Sequence, residues 1–291
     1  MRVELKSPCK VNLILNILGK RPDGFHELET VMHPVGIYDL LSFERGSSGI
    51  ELTCDKPELP TDSRNLVHRA ATAFFQETGI KEGIRIHLAK KIPMEAGLGG
   101  GSGNAATALL GLNQAFGGPL ERSALHRLAA SLGSDVPFFL QASPAIATGR
   151  GENVRSLPPF PTLAGFCFFL VHPGFGVSTP WAYKNLSRFF KALNGESGRA
   201  ERLVEALTTS FEAARPDFYN SLEAPVLEKY PLLAIFQEFL LENGASVALM
   251  SGSGSTTFAL INGRANAERI SEKFKGKFGR SAWVEVVEVH Q

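Results

Sequence analysis

Between Pro93 and Ala106 the chain reads Pro-Met-Glu-Ala-Gly-Leu-Gly-Gly-Gly-Ser-Gly-Asn-Ala-Ala, with five glycines inside the seven residues 97–103. The run feeds an alanine- and leucine-rich stretch, so it predicts a glycine-lined entry into a helix that reaches about Phe116. The first turn of a helix has unpaired N–H groups and the positive end of the peptide dipole. Glycines there remove the Cβ atoms that would keep a ligand off the backbone. Together these make an anion site, most often one for phosphate. The plainer alternative is a glycine-rich turn kept only for tight packing. Gly101-Ser-Gly103-Asn-Ala-Ala106 also fits a dinucleotide pattern, but the connector Ala89–Ala96 separates it from the preceding strand, which argues against that fold. No lysine follows the glycines as a P-loop would require.

A phosphate-bearing partner of what kind follows from the charge balance. Thirty basic residues face 29 acidic ones, so no general field attracts nucleic acid or an anionic membrane. A small molecule met in a pocket is the expected partner. Cys9, Cys54 and Cys167 stand apart with no paired spacing, which excludes a zinc ribbon or thioredoxin-type motif and fits a reducing cytoplasm. The charged start Met-Arg-Val-Glu-Leu-Lys reads as a strand, not a signal peptide, and no apolar run is long enough to span a bilayer.

At 291 residues the chain has room for two domains. Strands are expected at 3–5, 11–18, 28–32, 40–43 and 50–54, with Arg21-Pro-Asp-Gly24 as a turn. Asp62-Ser-Arg-Asn65 is expected as the cap region of a helix running to about Thr78, with Gly79 as its stop. A strand over 84–88 precedes the glycine loop, and a further helix covers about 121–132. Pro158-Pro-Phe-Pro161 is the strongest breaker cluster, giving domains 1–157 and 158–291. Beyond it come a buried strand at 166–171, helices between 179 and 241, and two strands around Ser251-Gly-Ser-Gly-Ser255. A basic helix near 265–274 and a strand at 283–289 close the chain. The mixture points to α+β rather than a parallel doubly wound sheet.

Several short patches could carry chemistry. Lys10 and Asn12 lie two apart on a strand and so share a face, able to meet phosphate, or else form an exposed polar edge. Asp135, before Val-Pro, is placed as a helix N-cap or as a general base for a hydroxyl. Ser251–Ser255 is short and flanked by apolar strands, which fits a tight turn approaching a ligand. His26 beside Phe25 could read a heterocycle, although a lone histidine is more often structural. The seven histidines show no metal spacing, and no G-x-S-x-G elbow is present.

Taken in order, Ser7-Pro-Cys-Lys-Val-Asn-Leu13, Gly19-Lys-Arg-Pro-Asp-Gly-Phe-His26, Ile92-Pro to Ala106, Gly133-Ser-Asp-Val-Pro-Phe138, Thr148-Gly-Arg-Gly-Glu152, Val177-Ser-Thr and Met250-Ser-Gly-Ser-Gly-Ser255 resemble the GHMP small-molecule kinases. The resemblance spans most of the chain. It implies a two-domain α+β fold with a ferredoxin-like C-terminal domain and an active site in the cleft between domains. It implies ATP-dependent phosphorylation of an alcohol, with Mg²⁺ riding on the ATP phosphates and no protein ligand named for it. The substrate would carry a cytidine diphosphate group; a mevalonate- or sugar-like alcohol, or loss of catalysis altogether, are the alternatives. By the same resemblance Lys10 and Asp135 form the catalytic pair. The amides of Gly97, Leu98, Gly99, Gly100, Gly101, Ser102 and Gly103 hold the ATP phosphates, Asn65 and Lys90 lie near adenine, and Pro93 also binds the cofactor. Asn12, Phe25, His26, Tyr183, Gly252 and Ser253 would bind substrate, the aromatic residues around the cytosine. A cytoplasmic monomer or homodimer is implied, with no nucleic acid or membrane partner. Two departures stand out. Cys9 replaces the family's alanine, and Gly103-Asn104 replaces its Ser-Asp, so one hydroxyl and one carboxylate are missing beside the loop.

Overall fold

A computed structural model describes residues 2–46 and 48–289, which divide into two compact units, each assembled from three stretches of chain. The first comprises residues 2–9, Ile37–Ile92 and Gly99–Ala142. It takes the start of β1 (Arg2–Lys20) and the end of β2 (His26–Gly46), then β3 (Ile50–Cys54), α1 (Leu66–Thr78), β4 (Gly83–Ala89), α2 (Gly100–Ala115) and α3 (Arg122–Leu132). Leu40–Gly46 of β2 runs antiparallel to β4, and β3 runs parallel to it. Ile84, Ile86 and Leu88 are buried while Arg85 and His87 are exposed, the period-two pattern of a strand with one wet face.

Both ends of α1 are as the residues demand. Asn65 accepts from the Val67 N–H at 2.9 Å, and Gly79 ends the helix at φ 69°, where a side chain would be strained. Its buried face, Val67, Ala70, Ala71 and Phe74, meets α2. Helix α2 is buried almost all round and is correspondingly built of small residues. At Gly111 a Cβ would collide with the Phe43 ring, so glycine is what lets this wholly buried ring reach the helix.

The second unit comprises 10–36, Pro93–Leu98 and 143–289. Leu28–Met32 of β2 pairs with β5 (Ala145–Gly149), which turns back into β6 (Asn153–Ser156). Then follow β7 (Phe166–His172), α4 (Thr179–Leu186), α5 (Phe190–Leu193), α6 (Arg199–Thr209), α7 (Phe211–Ala214), β8 (Tyr219–Asn220), α8 (Glu223–Lys229), α9 (Pro231–Glu242), β9 (Val247–Met250), β10 (Thr257–Asn262), α10 (Arg264–Phe278) and β11 (Trp283–Glu288). Strands β11-β7-β10-β9 form an antiparallel sheet in that order, with Phe236, Phe239, Leu240, Ile270 and Phe274 of α9 and α10 packed on Phe169, Val171, Ala259 and Ile261. This is the ferredoxin-like β-α-β-β-α-β arrangement expected for the C-terminal part.

The strands are longer than the sequence pattern implies. The two expected segments at 3–5 and 11–18 are one 19-residue strand, and 28–32 and 40–43 are one of 21 residues. Pro8 and Pro34 fall between the expected segments, yet Cys9, Val35 and Ile37 are buried and packing carries the strands through. The β5–β6 hairpin was not expected either, since Ala145-Ile-Ala-Thr-Gly has little β-branched character to announce it.

Candidate active site

Within the second unit Lys10 is almost fully buried, 2% exposed, and its Nζ donates to Asn12 Oδ1 at 2.6 Å and to the Gly97 carbonyl at 2.9 Å. Asn12 Nδ2 donates in turn to Thr30 Oγ1 (2.9 Å), whose hydroxyl donates to the Ile14 carbonyl (2.6 Å). The shared face of Lys10 and Asn12 is therefore not an exposed edge; it is a buried relay that fixes the ammonium. The Lys10 N–H also bonds the Leu98 carbonyl at 2.9 Å, stitching β1 to the glycine loop.

The Ser251–Ser255 turn closes against that loop. Ser251 Oγ donates to the Gly97 carbonyl at 2.9 Å, and the Thr256 N–H donates to Ala96 at 3.1 Å. Gly97 (φ 74°) has no room for a side chain, since a Cβ would land on the Ser251 carbonyl. A Cβ on Gly252 (φ 56°) would come within 2.9 Å of the Gly97 oxygen and 3.2 Å of Lys10 Nζ. Lys10, Asn12, Gly97, Leu98 and Gly252 are thus brought together, and Ser253 is tied by a 2.7 Å hydroxyl contact to Thr179 at the start of α4.

Two residues unmarked in the sequence hold the turn from behind. Asn220 Nδ2 donates to both the Met250 (2.7 Å) and Gly252 (2.8 Å) carbonyls. Glu223 Oε1 accepts from the Met250 N–H and from Gln237 Nε2, both at 2.7 Å. The residue keeps a partly exposed edge, but burial around the carboxyl pushes its pKa up to about 7, against the two hydrogen bonds. The folded chain then holds this proton to higher pH than the unfolded one, where the group titrates near 4.5. Stability contributed by the neutral form is complete below pH 4.5 and is lost as pH rises to about 7. Glu223→Gln, which keeps the acceptor, should remove about 2–3 kcal/mol of that decline. Urea unfolding of both proteins at pH 5 and pH 8 measures it; equal pH dependence would exclude the assignment.

His26 lies 5.0 Å, ring to ring, from Tyr183 on α4, tilted by 39°. Burial first, and Lys20 second, hold its pKa below the ordinary value, which keeps the imidazole neutral with one donor and one acceptor. Phe25, 53% exposed, lies under the Arg150 guanidinium at 4.6 Å. Arg150 belongs to the Thr148–Glu152 turn between β5 and β6, a contact the sequence does not disclose.

In the first unit, α2 opens at Gly99 (φ 67°) with no side-chain cap and no acidic residue in its first turn. The amides after Gly99 are therefore left for an external acceptor, which fits a phosphate. Gly101 is exposed, Ser102 half-buried, and Gly100 and Gly103 buried. Pro93, on the second-unit stretch leading into the loop, is half-buried. Asn65 is spent on its cap and on the Pro60 carbonyl (2.8 Å), and the Lys90 ammonium is buried against Asp39. Asp135 stands one residue ahead of the cap position of the element that follows it. The element after it is a four-residue 3₁₀ turn, Pro137–Leu140, with Val136 in the cap position and no side-chain bond there. Among the described residues no group of three or more His, Cys, Asp or Glu is placed to hold a metal, and no helix is long and apolar enough to cross a membrane.

An uncapped glycine-lined helix start and a buried lysine relay are what a phosphate-handling enzyme requires, and comparison with known proteins agrees. Residues 65–143 match the N-terminal domain of the GHMP kinases and residues 190–280 match the GHMP kinase C-terminal domain. A 4-diphosphocytidyl-2-C-methyl-D-erythritol kinase of Syntrophotalea carbinolica is 39% identical over 95% of this chain and 96% of that protein. One of Protochlamydia amoebophila is 41% identical over 91% and 86%. A crystal structure of 4-(cytidine 5'-diphospho)-2C-methyl-D-erythritol kinase superposes with a TM-score of 0.80 at 36% identity, covering 98% of this chain and 99% of that one. The class is thus that of the GHMP small-molecule kinases, which use ATP. Within it the chain belongs to the 4-diphosphocytidyl-2-C-methyl-D-erythritol kinase family. Homoserine kinase of Cytophaga hutchinsonii, TM-score 0.79 at 20% identity, shares the fold.

Proposed function

We propose that this chain transfers the γ-phosphoryl group of ATP to the 2-hydroxyl of 4-diphosphocytidyl-2-C-methyl-D-erythritol, in the non-mevalonate route to isoprenoid precursors. The observation that carries the reading is the Lys10 ammonium, buried and aimed by Asn12 and the Gly97 carbonyl. Phosphoryl transfer asks little covalent chemistry of a protein; it asks for positioning and for fixed positive charge. The amides of Gly97–Gly103 would hold the ATP phosphates between Pro93, Leu98 and Ser102, with Asn65 and Lys90 toward adenine. Mg²⁺ would be carried on those phosphates. Asp135 would take the proton of the hydroxyl as its oxygen bonds to the γ-phosphorus and the bond to ADP breaks. Lys10 would balance the charge that develops. Gly252 and Ser253 would border the substrate, and neutral His26 with Tyr183 and Phe25 would hold the cytosine. The two matched kinase domains lie on either side of Pro158, which supports a division of the chain near 157/158.

The test is ADP release measured with a panel of alcohols. The cytidylyl alcohol should be used far better than mevalonate, homoserine or galactose; equal use would favour a different GHMP substrate. Stacking on an aromatic ring is worth roughly 1–3 kcal/mol per base, so Tyr183→Ala should raise KM for the cytidylyl alcohol about 5- to 100-fold. KM for ATP should stay within about twofold. A matching rise in both would place Tyr183 outside the cytosine pocket.

A further inference from the structure

Under the first turn of α2 lies a buried polar cluster in which Asp39 and Asn104 have no part assigned in the reaction. Asp39 is wholly buried on β2 between Ile37, Leu41 and Phe43. Its Oδ1 accepts from the N–H groups of Lys91 (2.7 Å) and Ile92 (2.8 Å). Its Oδ2 accepts from Lys90 Nζ and from Asn104 Nδ2, the latter at 2.9 Å. Asn104 Nδ2 spends its other hydrogen on Ser7 Oγ, also at 2.9 Å. An isolated buried carboxylate is costly, and here four donors satisfy it.

What matters is where those donors come from. Lys90, Lys91 and Ile92 precede the glycine loop, and Asn104 follows it, so one carboxylate grips the chain on both sides of residues 93–103. The Lys90 ammonium lies beneath Gly100, 3.1 Å from where a Cβ would stand. Gly103 rests on β1, with a Cβ direction that points 2.5 Å from the Pro8 carbonyl. We propose that Asp39 and Asn104 are positioning residues for ATP: they set the seat and rotation of the first turn of α2, and with it the aim of the uncapped amides at 100–102. Lys90 supplies a fixed positive charge behind those amides. The proposal rests on the reading of Gly97–Gly103 as the phosphate cradle. Preorganised donors act only when aimed within a small tolerance, and a misplacement of about 1 Å can cost about a hundredfold.

Position 104 needs a side chain that donates twice. A carboxylate there would set like charge against Asp39 and has no N–H to donate to it or to Ser7. Asn104→Asp is therefore expected to raise Kd for ATP about 10- to 100-fold, measured by calorimetry on the full chain, with KM for the alcohol within about twofold. Exchanging the two groups, Asp39→Asn with Asn104→Asp, keeps one carboxylate and one amide in contact and retains an acceptor for the Lys91 and Ile92 N–H groups. That double variant should bring Kd back to within about fivefold of wild type. If Asn104→Asp fails to fold, Asn104→Ala removes the donor without adding charge and should raise Kd about 5- to 10-fold. Phe74→Leu, a core change in the same unit, serves as the control: it should lower Tm and leave Kd for ATP unchanged.

Wild-type affinity in the Asn104 variants would overturn the proposal. So would failure of the exchange to lower a raised Kd, or an equal rise in Phe74→Leu. Wild type is titrated first. Absence of ATP binding there would overturn the phosphate-cradle reading and this proposal with it, whereas binding unaffected at Asn104 overturns the proposal alone.

Discussion

Asp135→Asn should lower kcat by about a hundred- to ten-thousand-fold while ATP still binds, the usual cost of losing a positioned proton acceptor. The substitution keeps size and hydrogen-bonding capacity, so the effect isolates basicity. A helix cap would show no such loss, because asparagine caps as well as aspartate. The structure sharpens the comparison, since the element directly after Asp135 is a four-residue 3₁₀ turn with Val136, not Asp135, in the cap position. Initial-rate kinetics and ATP titration on the same folded sample decide it, and near-normal turnover would remove Asp135 from the reaction.

Gly101→Val should abolish measurable ATP binding, a loss of about a hundredfold or more, in a protein that still folds. The reason lies in the unequal surroundings of neighbouring glycines. A Cβ at Gly101 meets only Leu66 Cδ1 at 3.7 Å, an ordinary contact, so the chain itself tolerates it. What it would occupy is the space in front of the α2 amides that a phosphate needs. At Gly103 the same atom would strike the Pro8 carbonyl, and at Gly97 the Ser251 carbonyl, so those substitutions damage the fold as well as the site. A Gly101→Val protein with wild-type circular dichroism and wild-type ATP affinity would show that the phosphates lie elsewhere.

Much of this site is written in local sequence, because its chemistry needs particular residue types close together in the chain. The glycine loop, the Lys10–Asn12 spacing and the cap at Asn65 all depend on backbone geometry within a few residues. What could not be read is what depends on distant partners. Asp39 is a lone carboxylate in the apolar run Ile37-Tyr-Asp-Leu-Leu41, a signal visible in hindsight, but its partners at 90–92 and 104 come from two other elements. Asn220 and Glu223 lie in an unremarkable stretch and matter only because β9 ends beside them. Gly103 and Asn104 read in the sequence as a missing hydroxyl and a missing carboxylate. In three dimensions the first faces a backbone oxygen and the second supplies two donations a carboxylate cannot make. The long strands were misjudged for the same reason, as burial at Val35 and Ile37 overrides the local effect of Pro34.

The parallel pairing of Ile14 and Leu15 with Tyr219 and Asn220 has a consequence during synthesis. The strand that bears Lys10 leaves the ribosome well before this partner, which lies some two hundred residues further along the chain. At elongation rates of about 5–20 residues per second, that strand waits roughly 10–40 seconds with an unpaired edge. An exposed edge is a template for pairing with another chain. Nascent chains stopped before residue 219 should therefore be the form of this protein most dependent on chaperones.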